Sequence, residues 1–495
     1  MRKSGILMHI SSLPSDYGIG TMGKEAYAFI DFLKEAKQSL WQMLPICPTS
    51  YGDSPYQSFS TDAGNPYLID FDALSEKGLL KKSEYSGIDW GTEACRVDYE
   101  VIYKNRYTVL RKAYERFSVT EKTEFYKFLD ENENWISNYA LFMSIKEEND
   151  GKCWLEWDDG LKHRDPHSLW LFKESHKDEV EFWEFVQFEF YNQWRKLKSY
   201  ANENGIEIIG DIPIYVALDS VDVWVCPDLF DLGDDLAPRT VAGCPPDAFS
   251  EDGQLWGNPV YNWQRHKETD YGWWTHRIRK ATELYDIVRI DHFRGFDEFY
   301  AIPYGDKTAA GGTWVKGPGI ELFDKITEKL GKLPIIAEDL GFLTDSVRAL
   351  LEQSQFPGMK VLEFAFDPRE ESDYLPHNYD KNCVVYTGTH DNAPIRAWLD
   401  EIDKDTLDFC KKYINCHGTD TAELVWAIIR NTFASVADTA IIQMQDYLML
   451  GSESRMNTPS TAGGNWQWRM QKGACTKKLA AEIAGITRLY GRCER

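Results

Sequence analysis

Short apolar runs of strand length recur along the chain, each bounded by turn residues: Ile6 to Ile10, Leu40 to Ile46, Ile206 to Ile212, Ile287 to Asp291, Pro334 to Glu338, Lys360 to Phe366, Cys383 to Tyr386 and Ala440 to Gln445. Helical patterns lie between them. Ala26, Phe29, Ile30 and Leu33 step by three and four, and Val347, Leu350 and Leu351 follow Thr344, which suits an N-cap. Eight alternating β and α units predict an α/β fold, a (β/α)8 TIM barrel.

The units are uneven. About 160 residues separate the second and third runs and about 75 the third and fourth, far more than a loop needs. The pattern predicts one catalytic domain over 1–495, a helical insertion over 48–200 and a second insertion over 217–285, with smaller additions in other βα loops. Within the first, Phe182, Val186, Phe190, Trp194 and Leu197 form a helical stripe read as core. Within the second, residues 243–263 combine turn formers with aromatics such as Trp256, the composition of an active-site lid. No internal repeat, low-complexity tract or flexible linker interrupts this plan.

Composition narrows the function. A formal charge of -24, from 55 basic and 79 acidic residues, opposes nucleic acid and anionic lipid as partners. The apolar run at the start breaks at His9, too short for a signal segment or a membrane span. The ten cysteines include no C-x-x-C pair, so neither a disulfide framework nor a structural zinc site is expected and a reducing cytoplasm fits. Aromatic residues make up 14% of the chain; most are core, but their number also suits the flat apolar faces of sugars.

The candidate chemistry sits where three runs end in acids: Asp291, Glu338 with Asp339, and Asp391 after His390. Asp211 and Gln445-Asp446 close two further runs, and barrels carry function at these carboxyl ends. Any one of these acids could equally cap a helix or fix a loop. Arg289 and Asp291 are two apart, so both side chains face the same side of a strand and the guanidinium can hold the carboxylate ionised, as a nucleophile requires. Glu338, beside apolar residues and a second acid, suits the protonated partner. In retaining glycosidases such carboxylates stand about 5 to 5.5 Å apart. Asp391 and His390 would bind ring hydroxyls. A metal-dependent barrel enzyme uses similar acids, but Arg289 and His292 beside the first acid compete with a cation. No metal and no cofactor are expected.

Longer motifs carry a family resemblance. Ser11-Ser12-Leu13-Pro14-Ser15, Ser54-Pro55-Tyr56-Gln57-Ser58, Gly210-Asp211-Ile212-Pro213, Val288-Arg289-Ile290-Asp291-His292-Phe293-Arg294-Gly295, Ala337-Glu338-Asp339-Leu340-Gly341 and Thr389-His390-Asp391-Asn392 together resemble glycoside hydrolase family 77, the 4-α-glucanotransferases of the α-amylase clan. The resemblance implies Asp291 as nucleophile, Glu338 as general acid and base, and Asp391 as transition-state stabiliser. It further implies substrate contacts from Tyr56, Asp211, Arg289, His292 and His390, a lid around Trp256 and Asn258, and a second glucan-contacting surface at Tyr51. Ser460 stands where the family pattern leads one to expect glycine. The chain resembles the short form that begins at the first strand. The expected activity is disproportionation of α-1,4-glucans and malto-oligosaccharides by a monomer or weak homo-oligomer, with a hydrolase or a non-catalytic glucan-binding protein as alternatives.

Overall fold

In the computed structural model, which describes residues 2–50, 52–119, 122–246, 251–341, 343–461 and 463–494, eight strands form one parallel sheet. They are β1 (Lys3–Leu7), β2 (Leu40–Gln42), β3 (Glu207–Pro213), β4 (Ile287–Asp291), β5 (Ile335–Ala337), β6 (Gly358–Val361), β7 (Cys383–Tyr386) and β8 (Thr439–Gln443). Their order is β6-β7-β8-β1-β2-β3-β4-β5. The ends of this order meet where the Ala337 N–H donates to the Pro357 carbonyl at 2.9 Å, just before β6. Each apolar run predicted as a strand contributes one stave. The strands are buried on both faces, which is why they read as continuous apolar runs rather than alternating ones. Packing behind them is close: a Cβ on Gly210 of β3 would meet the Tyr285 ring at 2.1 Å, so only glycine lets that strand lie against the ring.

The helical patterns fold as read. Lys24–Glu35 buries Ala26, Phe29, Ile30 and Leu33, and the Thr344 side chain accepts from the Val347 N–H at the start of Asp345–Ser354. Residues 48–200 are mainly helical, and the long helix Lys177–Glu203 buries all five members of its stripe. Its Trp194 indole donates to the Leu284 carbonyl at 3.1 Å, tying the inserted helix to the barrel.

A second sheet approaches the end of β4, where its Trp256 ring meets His292. Its antiparallel order is Gln254–Pro259, Thr240–Cys244, Glu298–Pro303, Thr313–Lys316. Two of these strands precede β4 and two follow it, so the sheet extends beyond the 217–285 segment and embraces the strand that delivers Asp291. Ser460 takes φ 63°, the left-handed region that favours glycine. Among the described residues no helix is long and apolar enough to cross a membrane.

Candidate active site

Strand register sets the base of the site. Asp211 on β3 lies opposite Arg289 on β4, and Pro213 opposite Asp291, so alternation sends Asp211, Arg289 and Asp291 to the same side. One Arg289 nitrogen donates to Asp211 Oδ1 at 2.8 Å and Oδ2 at 2.6 Å, and the other lies 2.9 Å from Asp291 Oδ1. The Tyr56 hydroxyl donates to Asp211 Oδ2 at 2.9 Å. Arg289 and Asp211 are 2% and 1% exposed, whereas 30% of the Asp291 side chain remains open. Burial disfavours the guanidinium charge, but Asp211 and Asp291 more than offset it and hold Arg289 firmly protonated. A fixed cation thus braces Asp291 from below and leaves the rest of its carboxylate facing the cleft.

Glu338 follows β5. Its main chain is pinned by the Glu338 N–H donating to the Ile290 carbonyl and the Phe293 N–H to its own carbonyl, both at 3.0 Å. Its carboxyl accepts the His292 N–H at 2.7 Å and the Leu340 N–H at 2.8 Å. His292 adopts φ 54°, ψ 50°, a left-handed conformation that costs a non-glycine residue about 1 kcal/mol or more and aims that N–H. Burial, and then the charge of Asp291, push the Glu338 carboxyl up to about 8, against Arg289 and the two N–H donors. His292 itself is pushed down to about 4, mainly by burial, and stays neutral.

Asp391 follows β7. Asn457 donates to its Oδ1 at 2.6 Å, an Arg455 nitrogen donates to its main-chain carbonyl at 2.8 Å, and His390 Nε2 lies 3.3 Å from Oδ2. The His390 ring stacks on Tyr56 with centroids 5.1 Å apart. Tyr56 is therefore the common neighbour: its phenol is pushed well up by burial and then by the field of Asp211, with smaller contributions from Asp291 and Asp391. Acids remote in sequence meet around one ring.

On the lid side, the Trp256 ring meets His292 edge-on at 4.8 Å. Asn258 spends its amide within the protein, donating to the Val216 carbonyl at 2.8 Å and accepting from Gln57 at 3.0 Å. It locks the lid strand to the Tyr56-Gln57 loop. Tyr51 and residues 247–250 of the lid lie outside the described residues. Asn457, Arg455 and Trp466 were not among the site residues expected from the sequence, and Gln57 entered only as part of the Ser54-Pro55-Tyr56-Gln57-Ser58 motif. Trp466 flanks both Tyr56, at 5.8 Å, and His390, at 5.9 Å, and its signal was present in the Asn465-Trp466-Gln467-Trp468 motif. Asn457 had none, because its contact depends on how a remote loop folds back.

A parallel barrel whose mouth gathers an arginine-braced aspartate, a buried glutamate held as an acid and a third carboxylate defines an enzyme of glycosidic-bond chemistry. The comparisons specify which. The family model for 4-alpha-glucanotransferase matches residues 8–476. The 4-alpha-glucanotransferase of Clostridium butyricum is 48% identical over 489 residues, covering 98% of this chain and 100% of that protein. That of Streptococcus pneumoniae is 49% identical over 494 residues, covering 99% and 97%. The structure of amylomaltase from Streptococcus agalactiae in complex with acarbose superposes with a TM-score of 0.97 at 46% identity, covering all of both chains. The chain belongs to glycoside hydrolase family 77, the 4-α-glucanotransferases. Its activity is the transfer of α-1,4-glucan segments to the 4-hydroxyl of an acceptor glucan or glucose.

Proposed function

We propose that Asp291, Glu338 and Asp391 carry this transfer by double displacement. The Asp291 carboxylate attacks the anomeric carbon while the bond from that carbon to the leaving 4-oxygen breaks, and Glu338 gives its proton to that oxygen. The donor segment is then an ester of Asp291. In the second half the acceptor 4-hydroxyl loses its proton to Glu338 and attacks the same carbon, and the ester bond breaks to restore the Asp291 carboxylate. Electrostatics drives the change of role. In the free enzyme the Asp291 charge helps keep Glu338 protonated; once Asp291 is esterified that charge is gone, and the Glu338 carboxylate is free to wait as a base.

The observation that carries the reading is the Arg289 guanidinium bridging Asp211 and Asp291 beside a Glu338 held as an acid. Asp391 would hold ring hydroxyls more tightly in the planar oxocarbenium-like transition state than in the ground state. Tyr56, Asp211, His292 and His390 would line the subsite of attack, and residues 243–263, through Trp256, would close over malto-oligosaccharides. The acarbose complex of the Streptococcus agalactiae protein supports malto-oligosaccharides as the ligand class. Transfer rather than hydrolysis would follow from excluding water while the acceptor is held. Tyr51 is proposed for a second glucan-contacting surface.

The same reading treats 1–495 as one catalytic domain with insertions at 48–200 and 217–285, working in the cytoplasm as a monomer or weak homo-oligomer. The ten free cysteines support a reducing compartment. Incubation with maltotriose tests the function: longer oligosaccharides and glucose should appear together. Monotonic shortening with rising reducing ends would instead make the enzyme a hydrolase. Asp291→Asn should bind glucan and fail to turn over; full turnover would exclude Asp291 as the nucleophile.

A further inference from the structure

Two polar residues at the end of β8, Gln445 and Asp446, are almost fully buried, at 3% and 1% exposure, and take no part in the reaction above. The Asp446 carboxyl binds both ends of the segment that follows β7. The Thr387 hydroxyl donates to Oδ2 at 2.6 Å and the Ile395 N–H donates to Oδ1 at 2.7 Å. Between those anchors lie His390 and Asp391. The neighbouring Gln445 side chain donates to the Ser454 carbonyl at 3.2 Å, immediately before Arg455 and Asn457, whose side chains hold the Asp391 main chain and carboxylate. Gly388 in this segment sits close to the side-chain ends of Glu363 and Gln443, which lie 2.8 and 2.9 Å from where a Cβ would stand.

We propose that Gln445 and Asp446 form the positioning device of the third acid, fixing Asp391 from two sides by tying down the segment that carries it and the loop that grips it. The inference rests on the reading of Asp391 as transition-state stabiliser. Both residues act through Asp391 rather than on the sugar. Their work is to hold a carboxylate whose benefit depends on placement to a fraction of an ångström, since a displacement of about 1 Å can cost roughly 100-fold in rate. Burial pushes the Asp446 carboxyl up to about 7, yet the clamp survives either protonation state, because the Thr387 hydroxyl can donate to a carboxylate or accept from an acid. An asparagine has the same valence pattern, with an oxygen for Ile395 and an N–H for Thr387.

The test is steady-state turnover of maltotriose per folded site, with the folded fraction taken from circular dichroism, in Asp446→Ala, Asp446→Asn, Thr387→Val and Asp391→Asn enzymes. Asp446→Ala is expected to lower kcat roughly 10- to 100-fold with KM within about twofold, Asp446→Asn to recover most of that loss, and Thr387→Val to fall between. An Asp446→Ala enzyme with wild-type kcat, or an Asp446→Asn enzyme as slow as Asp446→Ala, overturns the proposal. Should Asp446→Ala fail to fold, Thr387→Val and Gln445→Leu decide, and wild-type kcat in both overturns it. Full turnover by Asp391→Asn removes the underlying reading of Asp391; a silent Asp391→Asn beside an undisturbed Asp446→Ala removes the clamp alone.

Discussion

Raising the pH should switch the enzyme off through one proton on Glu338. At an ordinary value of 4.5 the carboxyl would be about 0.3% protonated at pH 7, whereas at about 8 it is about 90% protonated, a gain of about 300-fold in the form able to donate. Activity should therefore hold up to about pH 8 and fall tenfold for each further unit, as kcat/KM for maltotriose measured from pH 5 to 10 would record. Because burial and the Asp291 charge both raise the value, titrating Glu338 by carbon-13 NMR of its labelled carboxyl should give a lower value in Asp291→Asn than in the wild type. The sign for stability follows the same logic. A carboxyl that ionises less readily folded than unfolded contributes fully below about 4.5 and loses that contribution as pH rises through about 8. The uncharged Glu338→Gln enzyme should gain on the wild type in urea unfolding across that window. Titration of Glu338 near 4.5 in the wild type, or a flat rate profile to pH 10, would refute this account.

Arg289→Met leaves Asp211 buried without its cation and should cost about 3 to 5 kcal/mol in urea unfolding, with activity lost. Trp256→Ala strips the ring from above His292; KM for maltotriose should rise about tenfold, equivalent to about 1.4 kcal/mol, and the fraction of free reducing ends should grow relative to transfer products. A chelator should leave the rate unchanged, since Arg289 and main-chain N–H groups occupy oxygens of Asp211, Asp291 and Glu338. Thr344→Ala removes a side-chain cap and should cost about 1 kcal/mol in thermal unfolding without changing turnover.

The barrel was legible in the sequence because the staves are buried on both faces and so stand out as mainly apolar runs, broken in β3 and β4 by the charged residues of the site. Boundaries were less so: the run from Lys360 to Phe366 is strand only to Val361, and Leu362–Ala365 winds into a short helix that keeps Leu362 and Ala365 buried. The contact between Arg289 and Asp291 follows from alternation within one strand. The contact between Arg289 and Asp211 does not, because it needs the register of β3 against β4, and the grip of Asn457 on Asp391 needs a loop to fold back across 66 positions. The second sheet was missed for a related reason. Thr313–Lys316 is exposed throughout, so it carries no burial pattern, and its place is set only by its partner Glu298–Pro303.

That second sheet bears on attempts to shorten or transplant the scaffold. Excising residues 217–285 as a cassette would strip away two strands and strand Glu298–Pro303 with Thr313–Lys316 as a lone ribbon, and a two-stranded ribbon is marginal in water. The damage would fall on the segment that follows β4 and Asp291. Grafting a foreign lid onto this barrel therefore means exchanging material on both flanks of β4 at once.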